Sequence, residues 1–432
     1  LAKIGFYHPN PFVTVEFAGA IVRTSPATDV EQYTWNECAK IPVQTPVYED
    51  TILIKLWHSR TLAPDELLAQ GLISFSELRN NSLLPRWFCL YGWDPEEVPD
   101  VKLISKDGES IKPNFFKGKL LISGRVERLK SVEELCPAGL VPARPAIEPS
   151  SMQVALFTDV YEVTGAVGRE CMVQVAFGRD FRNTSSWVAP TRYDKATLSS
   201  SAQEDDDWEY EGEDVEEVST FQFSQTHGRM EPLLTMTPED TESQPWVLVN
   251  VYTRGVLSGR SRVGYQKKRL EDFPKYEVGN PSKPRFLPLE FMPYNANQRM
   301  PASVLLSLEQ CDTDDVPRHN RKNVRPMAYI VRAYVFMARN IKHKKASYAI
   351  RIACAGMSRS TPEREEVRPM WMQPLELKVT LSSDHPKEPP TMEPITVTLC
   401  DQMAVPLGGK SQTDIGKTVC IYEYMRQKDN MG

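Results

Sequence analysis

Apolar and polar residues alternate along short stretches from one end of the chain to the other. In 12–17, Val13, Val15 and Phe17 fall on one face and Thr14 and Glu16 on the other, the period-two mark of a half-buried strand. Asn10-Pro11 ahead of it keeps Asn10 out of the helical region and starts the strand from a loop. Similar patterns predict strands over 20–24, 35–41, 51–57 (Ile52, Ile54 and Leu56 against Leu53 and Lys55), 67–75, 86–92 and 119–128. Short strands at this spacing, with turns such as Pro64-Asp65-Glu66 between them, predict a first β-sandwich over 1–130.

Strands over 152–163, 171–177, 246–254, 286–290 and 303–309 predict a second sandwich over 151–311, interrupted by a polar insertion at 183–244. Within it, 196–219 is expected to be disordered, because self-repelling acids and few large aliphatics leave no core to fold around. A third unit over 327–432 follows, with strands at 328–341, 348–354, 370–381, 395–401 and 421–424. Residues 131–150, carrying Pro137, Pro142, Pro145 and Pro149, read as a semi-rigid linker without strand pattern. Residues 312–326 read as a second linker, basic at Arg318, Arg321, Lys322 and Arg325. The fold class is all-β: tandem antiparallel sandwiches joined by a Pro-rich and a basic linker, with a disordered acidic insertion. A complete sandwich would have a strand before Leu1 and one or two after 421–424, so the chain is expected to be a piece of a longer protein.

Composition sharpens this picture at a few points. The 432 residues exceed one ordinary core, and 34 prolines against 22 glycines favour a loop-rich β chain. No run of 18 apolar residues exists to span a bilayer, and the N-terminus lacks a signal-peptide layout. Eight scattered cysteines without a Cys-x-x-Cys pair read as reduced thiols of a cytosolic chain. Six histidines, none at His-x3-His spacing, give zinc little support. The net charge of −6 hides ten acids and no base within 204–217, and without that run the remainder carries +4. Global charge therefore does not exclude an anionic membrane as partner, and local patches matter more.

Catalytic signatures are missing: there is no Gly-x-Ser-x-Gly elbow, no phosphate loop, no His-Arg-Asp set and no paired His/Cys arrangement. Gly408-Gly409-Lys410-Ser411 lacks the earlier glycine of a phosphate loop, since Ala404 and Val405 stand there. A non-enzymatic role is expected.

The loop and strand around Asn10-Pro11, followed by Trp35-Asn36-Glu37, resemble a C2 domain with Asn10 in place of the usual aspartate. Four further stretches are similar to successive segments of the ferlin family. These are Trp87-Phe-Cys-Leu-Tyr-Gly92 with the later 116–125; Gln153 to Tyr161 with Met172 to Gly178; Trp246 to Tyr252 with Arg262 to Gln266; and Val331 to Asn340. The resemblance implies a cytosolic membrane-trafficking protein with several C2 domains, acting in vesicle exocytosis and membrane fusion from the cytosolic face of a vesicle or plasma membrane. It also implies a membrane anchor outside this stretch. Animal ferlins carry a four-helix segment where this chain has its acidic insertion, so a divergent, protist-like member fits better.

Calcium requires six to eight oxygens, which C2 loops supply from acidic residues. In the first unit the corresponding positions hold Ile4, Asn10, His58, Arg60 and Glu66; Arg60 would put a cation in the metal's place, and a solvated turn is expected. The acidic run 204–217 lacks the fixed geometry of a selective site. In the third unit Asp401 and Asp414 are weak calcium candidates, able to hold the ion only if lipid phosphates complete its shell.

For membrane contact, Phe6 and Tyr7 beside Lys3 and His8 are candidate interfacial anchors, or else they pack on the neighbouring loop. Lys342, Lys344 and Lys345, with His343, are candidates for anionic headgroups, against the alternative of a solvated turn. Lys267, Lys268 and Arg269, near Arg260 and Arg262, could bind lipid or pair with the acidic insertion. Nucleic acid is not expected, for no stacking or groove-reading motif accompanies these bases. The alternative to membrane docking is a scaffold whose sandwiches bind each other or trafficking proteins and never touch lipid.

Overall fold

The computed structural model describes residues 8–44, 46–93, 114–129, 137–191, 220–255, 259–291, 302–339, 341, 347–355, 357–366, 368–383, 395–404 and 410–420. Nearly every element is an antiparallel strand, and the strands form sandwiches of the C2 type in tandem.

The first unit holds β1 (Pro11–Phe17), β2 (Ala20–Arg23), β3 (Glu37–Lys40), β4 (Thr51–His58), β5 (Glu66–Ser74), helix α1 (Phe75–Asn80), β6 (Leu83–Gly92) and β7 (Phe115–Gly124). Its main sheet runs β2-β1-β4-β5-β6-β7. β5 and β6 meet at only one pair, Gln70 opposite Tyr91, so the sheet folds over there and Leu90 packs against Ile54, Leu56 and Ala69. Gly71 permits the fold: a Cβ would stand 2.2 Å from the Phe88 ring. The Trp35-Asn36 pair closes the outer edge. Asn36 takes φ of 49°, a region Asn tolerates better than most residues, and Trp35 Nε1 donates to Ser25 O at 2.8 Å.

Within the stretch read as a semi-rigid linker without strand pattern, residues 139–142 form a strand. β8 (Gly139–Pro142) pairs with β3, Glu37 opposite Pro142 and Lys40 opposite Gly139. A proline is tolerated there because β8 is an edge with one free side.

The second unit contains β9 (Ser151–Thr164), β10 (Glu170–Phe177), β11 (Asp180–Asn183), β12 (Phe221–Gln222), helix α2 (Gln225–Gly228), β13 (Leu233–Pro238), β14 (Val247–Arg254), β15 (Arg260–Lys268), β16 (Arg285–Pro288), β17 (Glu290–Phe291) and β18 (Ser303–Cys311). One sheet is β11-β10-β14-β15-β17; the other is β12-β9-β18-β16, with β13 also on β9. Val154, Leu156, Val173, Val175, Val249, Val251, Val304 and Leu306 fill the space between them. The insertion is narrower than its composition implies. β12 and β13 both lie within 183–244 and both pair with β9, since Phe221, Phe223 and Leu233 supply apolar surface to this core. The run expected to be disordered, 196–219, lies outside the described residues.

The third unit comprises β19 (Arg325–Met337), β20 (Ser347–Cys354), β21 (Met357–Ser360), β22 (Met370–Ser383), β23 (Ile395–Ala404) and β24 (Lys410–Cys420), arranged as a β19-β22 ribbon facing a β21-β20-β23-β24 sheet. The strand expected at 421–424 lies outside the described residues. The described cysteines Cys38, Cys89, Cys171, Cys311, Cys354 and Cys400 are free thiols. No described helix is long and apolar enough to cross a membrane.

Candidate functional site: loop tips and unit seams

At the loop tip of the first sandwich, polar groups that a C2 domain could turn to metal are engaged within the protein. Asn10 Oδ1 accepts from Asp29 N at 2.7 Å while its Nδ2 donates to Ser59 O at 3.3 Å. An amide can do both where a carboxylate could only accept, which gives a reason for asparagine here. Asn10 N donates to His58 Nδ1 at 2.9 Å. Burial, and then Arg60, hold the His58 imidazole below its ordinary pKa, consistent with a neutral ring whose nitrogen can accept. Arg60 pairs with Glu66, and Arg23 pairs with Asp65 at 3.3 Å while lying 3.6 Å over the Phe12 ring. Two arginines therefore hold Glu66 and Asp65 at this tip. Phe6 and Tyr7 lie outside the described residues.

The basic cluster of the second unit lies along a seam with the first. Lys267 sits 4.6 Å from the Trp246 ring and 5.8 Å from Tyr91, and the Arg269 guanidinium is 4.2 Å from Trp246. Tyr91, Leu248, Tyr265, Phe116 and Trp246 form one apolar cluster across that seam. Trp246 N donates to Tyr91 Oη at 2.8 Å, Cys89 Sγ lies 3.4 Å from Ser243 O, and Arg86 pairs with Glu242. Burial pushes the Cys89 thiol up to about 12, so it stays protonated. Arg262, fully buried, donates to Asn114 Oδ1 at 2.6 Å in the first unit and to Asn250 Oδ1 at 3.1 Å in the second. The sequence marks this cluster by charge alone. Trp246 faces Lys267 and Arg269 because β14 and β15 pair within the second unit, whereas the approach of Lys267 to Tyr91 follows only from the meeting of two sandwiches. Lys268 ends β15 and is partly exposed.

The basic linker is a docked strap. Arg318 donates to the carbonyls of Met230 and Thr158 and lies 3.4 Å from Asp159; Arg321 donates to Val160 O and Phe223 O. Tyr276 stacks on His319 at 4.5 Å and donates to Pro317 O at 2.6 Å. Arg229 adds a second cation 3.6 Å from Asp159. Burial raises the Asp159 carboxyl and lowers the Arg318 guanidinium despite their pairing, the pattern expected where desolvation exceeds the Coulomb gain. The sequence reads these arginines only as part of a basic linker, since nothing local shows that carbonyls will converge on them.

In the third unit, Asp401 pairs with Thr413 and Asp414 with Cys400. The two carboxylate-bearing residues thus occupy consecutive rungs of one β23-β24 ladder. Lys342, Lys344 and Lys345 lie outside the described residues. Among the described residues no group of three or more His, Cys, Asp or Glu side chains converges as a metal site.

Residues 1–90 match the C2 domain family. Over 434 aligned residues the chain is 34% identical to ferlin 2 of Toxoplasma gondii, covering 96% of this chain and 30% of that protein. It is 29% identical to ferlin 1 of Toxoplasma gondii over 42% of this chain and 13% of that one. Ferlin 2 of Tetrahymena thermophila is 21% identical over 64% of this chain and 16% of its own length. Among solved structures, the calcium-bound C2A and C2B domains of extended-synaptotagmin 2 align at 10% identity, covering 63% of this chain and 85% of that one with a TM-score of 0.22. The chain spans less than a third of the ferlins it matches, and with almost all of its residues aligned to one of them at 34% identity, it belongs to the ferlin family.

Proposed function

We propose that this segment is a non-enzymatic docking module for anionic membranes, acting without calcium within a ferlin that serves vesicle trafficking, exocytosis and fusion at the cytosolic face. The observation that carries this reading is the loop tip of the first sandwich. Arg60 and Arg23 neutralise Glu66 and Asp65, so the tip needs no divalent cation to meet a negatively charged surface. Lys342, Lys344 and Lys345, with Phe6 and Tyr7 on the first unit, are the proposed lipid contacts, each basic residue near the surface contributing about 1 kcal/mol. Asp401 and Asp414 remain weak calcium candidates within it.

A scaffold reading has support of its own. Lys267 and Arg269 lie on Trp246, whose backbone N–H donates to Tyr91 of the first unit, and Lys267 itself lies 5.8 Å from the Tyr91 ring, a placement that suits contact within the chain. Co-sedimentation with phosphatidylserine vesicles, in calcium and in chelator, separates the readings. Equal binding in both conditions, weakened severalfold by reversing Lys342, Lys344 and Lys345 to glutamate, is the expected result. Binding that requires calcium assigns the role to Asp401 and Asp414, and no binding in either condition favours the scaffold.

A further inference from the structure

The second and third units share an apolar core. Tyr161 of β9, Leu305 of β18 and Phe286 of β16 leave the outer face of the second sandwich and pack among Val331, Leu375, Leu377, Val379 and Leu381 of the β19-β22 ribbon. Inside this seam, among the described residues, stands the carboxyl group of Glu162. Glu162 follows Tyr161 on β9, lies opposite Leu305 in the β9-β18 ladder, and is 1% exposed. Ser382, on β22 of the third unit, donates to its Oε2, while Oε1 has no hydrogen-bond partner among the described residues.

The charged groups on the surrounding elements are committed elsewhere. Arg321 donates to Val160 O and Phe223 O, Arg318 and Arg229 face Asp159, and Arg285 of β16 donates to Asp272 O. None of these, nor Arg325 at the start of β19, pairs with Glu162 among the described residues. From β12 the facing side chain is the neutral Gln222. A neutral carboxyl group fits such a seam, whereas an ionised one would be a buried charge without a counter-ion, which separation of the units would hydrate.

We propose that Glu162 is a protonation latch on the seam between the second and third sandwiches, closed while its carboxyl is neutral and loosened when it ionises. Burial, partly opposed by Ser382 and Gln222, raises its pKa from 4.5 to about 7. A raised value means that docking stability is fully present below the ordinary carboxyl pKa and is lost as pH rises through about 7. The latch therefore works across near-neutral pH, where few side chains change charge.

Amide hydrogen exchange of the full chain tests this, with Glu162→Gln compared to wild type at the same pH so that the intrinsic exchange rate cancels. The wild-type to Glu162→Gln ratio for β9, β18 and β22 amides is expected to rise by about tenfold or more between pH 5.5 and 8.5. Amides of β4 and β5 in the first unit should keep a constant ratio, which controls for loss of folding. An unchanged ratio at the seam overturns the latch. Difference infrared spectroscopy of the wild-type chain gives a second readout: the carboxyl band that Glu162→Gln removes should titrate near 7, and a band titrating at the ordinary carboxyl value also overturns it.

Discussion

Arg262 shows what a single side chain does in this molecule. Its guanidinium bridges Asn114 and Asn250 and lies 5.5 Å from the Tyr265 ring, with no solvent at hand to replace those partners. Truncation would leave two buried amide oxygens without these donors and open a cavity between sandwiches. Arg262→Ala is expected to destabilise the chain by about 2–4 kcal/mol, read as a lower urea midpoint of the transition that reports the second unit. Arg262→Lys should recover part of the loss, since an ammonium keeps the charge but cannot span both asparagines with a planar fork. Glu162 is the acidic counterpart at the other seam, and there the absence of a cation makes protonation the route to a stable interior.

At the scale of elements, the strap at 317–321 depends on a turn that composition gives no reason to notice. Ser224 caps the short α2, its Oγ accepting from His227 N at 3.2 Å, and α2 ends at Gly228. A Cβ on Gly228 would stand 2.0 Å from Val160 O and 2.9 Å from Arg321 Nη2. Gly228→Ala should therefore push α2 off β9 and displace Arg321, at about 1–3 kcal/mol. Faster tryptic cleavage after Arg318 and Arg321, together with a lower denaturation midpoint, would show it; unchanged cleavage would mean that Arg318 and the Tyr276–His319 stack hold the strap without Arg321.

For the whole molecule, the two seams decide whether the sandwiches act as separate modules. The first is polar and aromatic, the second apolar around the carboxyl group of Glu162, and each joins neighbours in the chain. Charge reversal separates surface from seam. Lys267→Glu with Arg269→Glu should lower the thermal midpoint, because both cations leave the Trp246 ring, an interaction worth about 0.5–2 kcal/mol per cation. Reversal of Lys342, Lys344 and Lys345 should leave the midpoint within a degree or two while vesicle binding falls, as expected of solvated charges. Calorimetry and sedimentation on the same two variants distinguish these effects, and equal losses of vesicle binding in both would place Lys267 and Arg269 on the membrane side after all.

Local pattern was enough to reveal the all-β class and many of the strands. The alternation at Val13, Val15 and Phe17 and at Ile52, Ile54 and Leu56 reports which face is buried, because side chains in a strand alternate wherever it pairs. The charge of Arg60 likewise pointed to a cation at the first loop tip, and the structure pairs that arginine with Glu66. Tertiary structure decided the rest. Phe221 and Leu233 join β9 from within a polar insertion, Pro142 ends a strand paired with β3, and Lys267 reaches Tyr91 of the first unit only because two sheets approach. Burial of Arg318, Arg262 and Glu162 is likewise a property of neighbours far along the chain. A charged residue carries the same local signature whether water or a folded core surrounds it, and only the packing of distant strands determines which it meets.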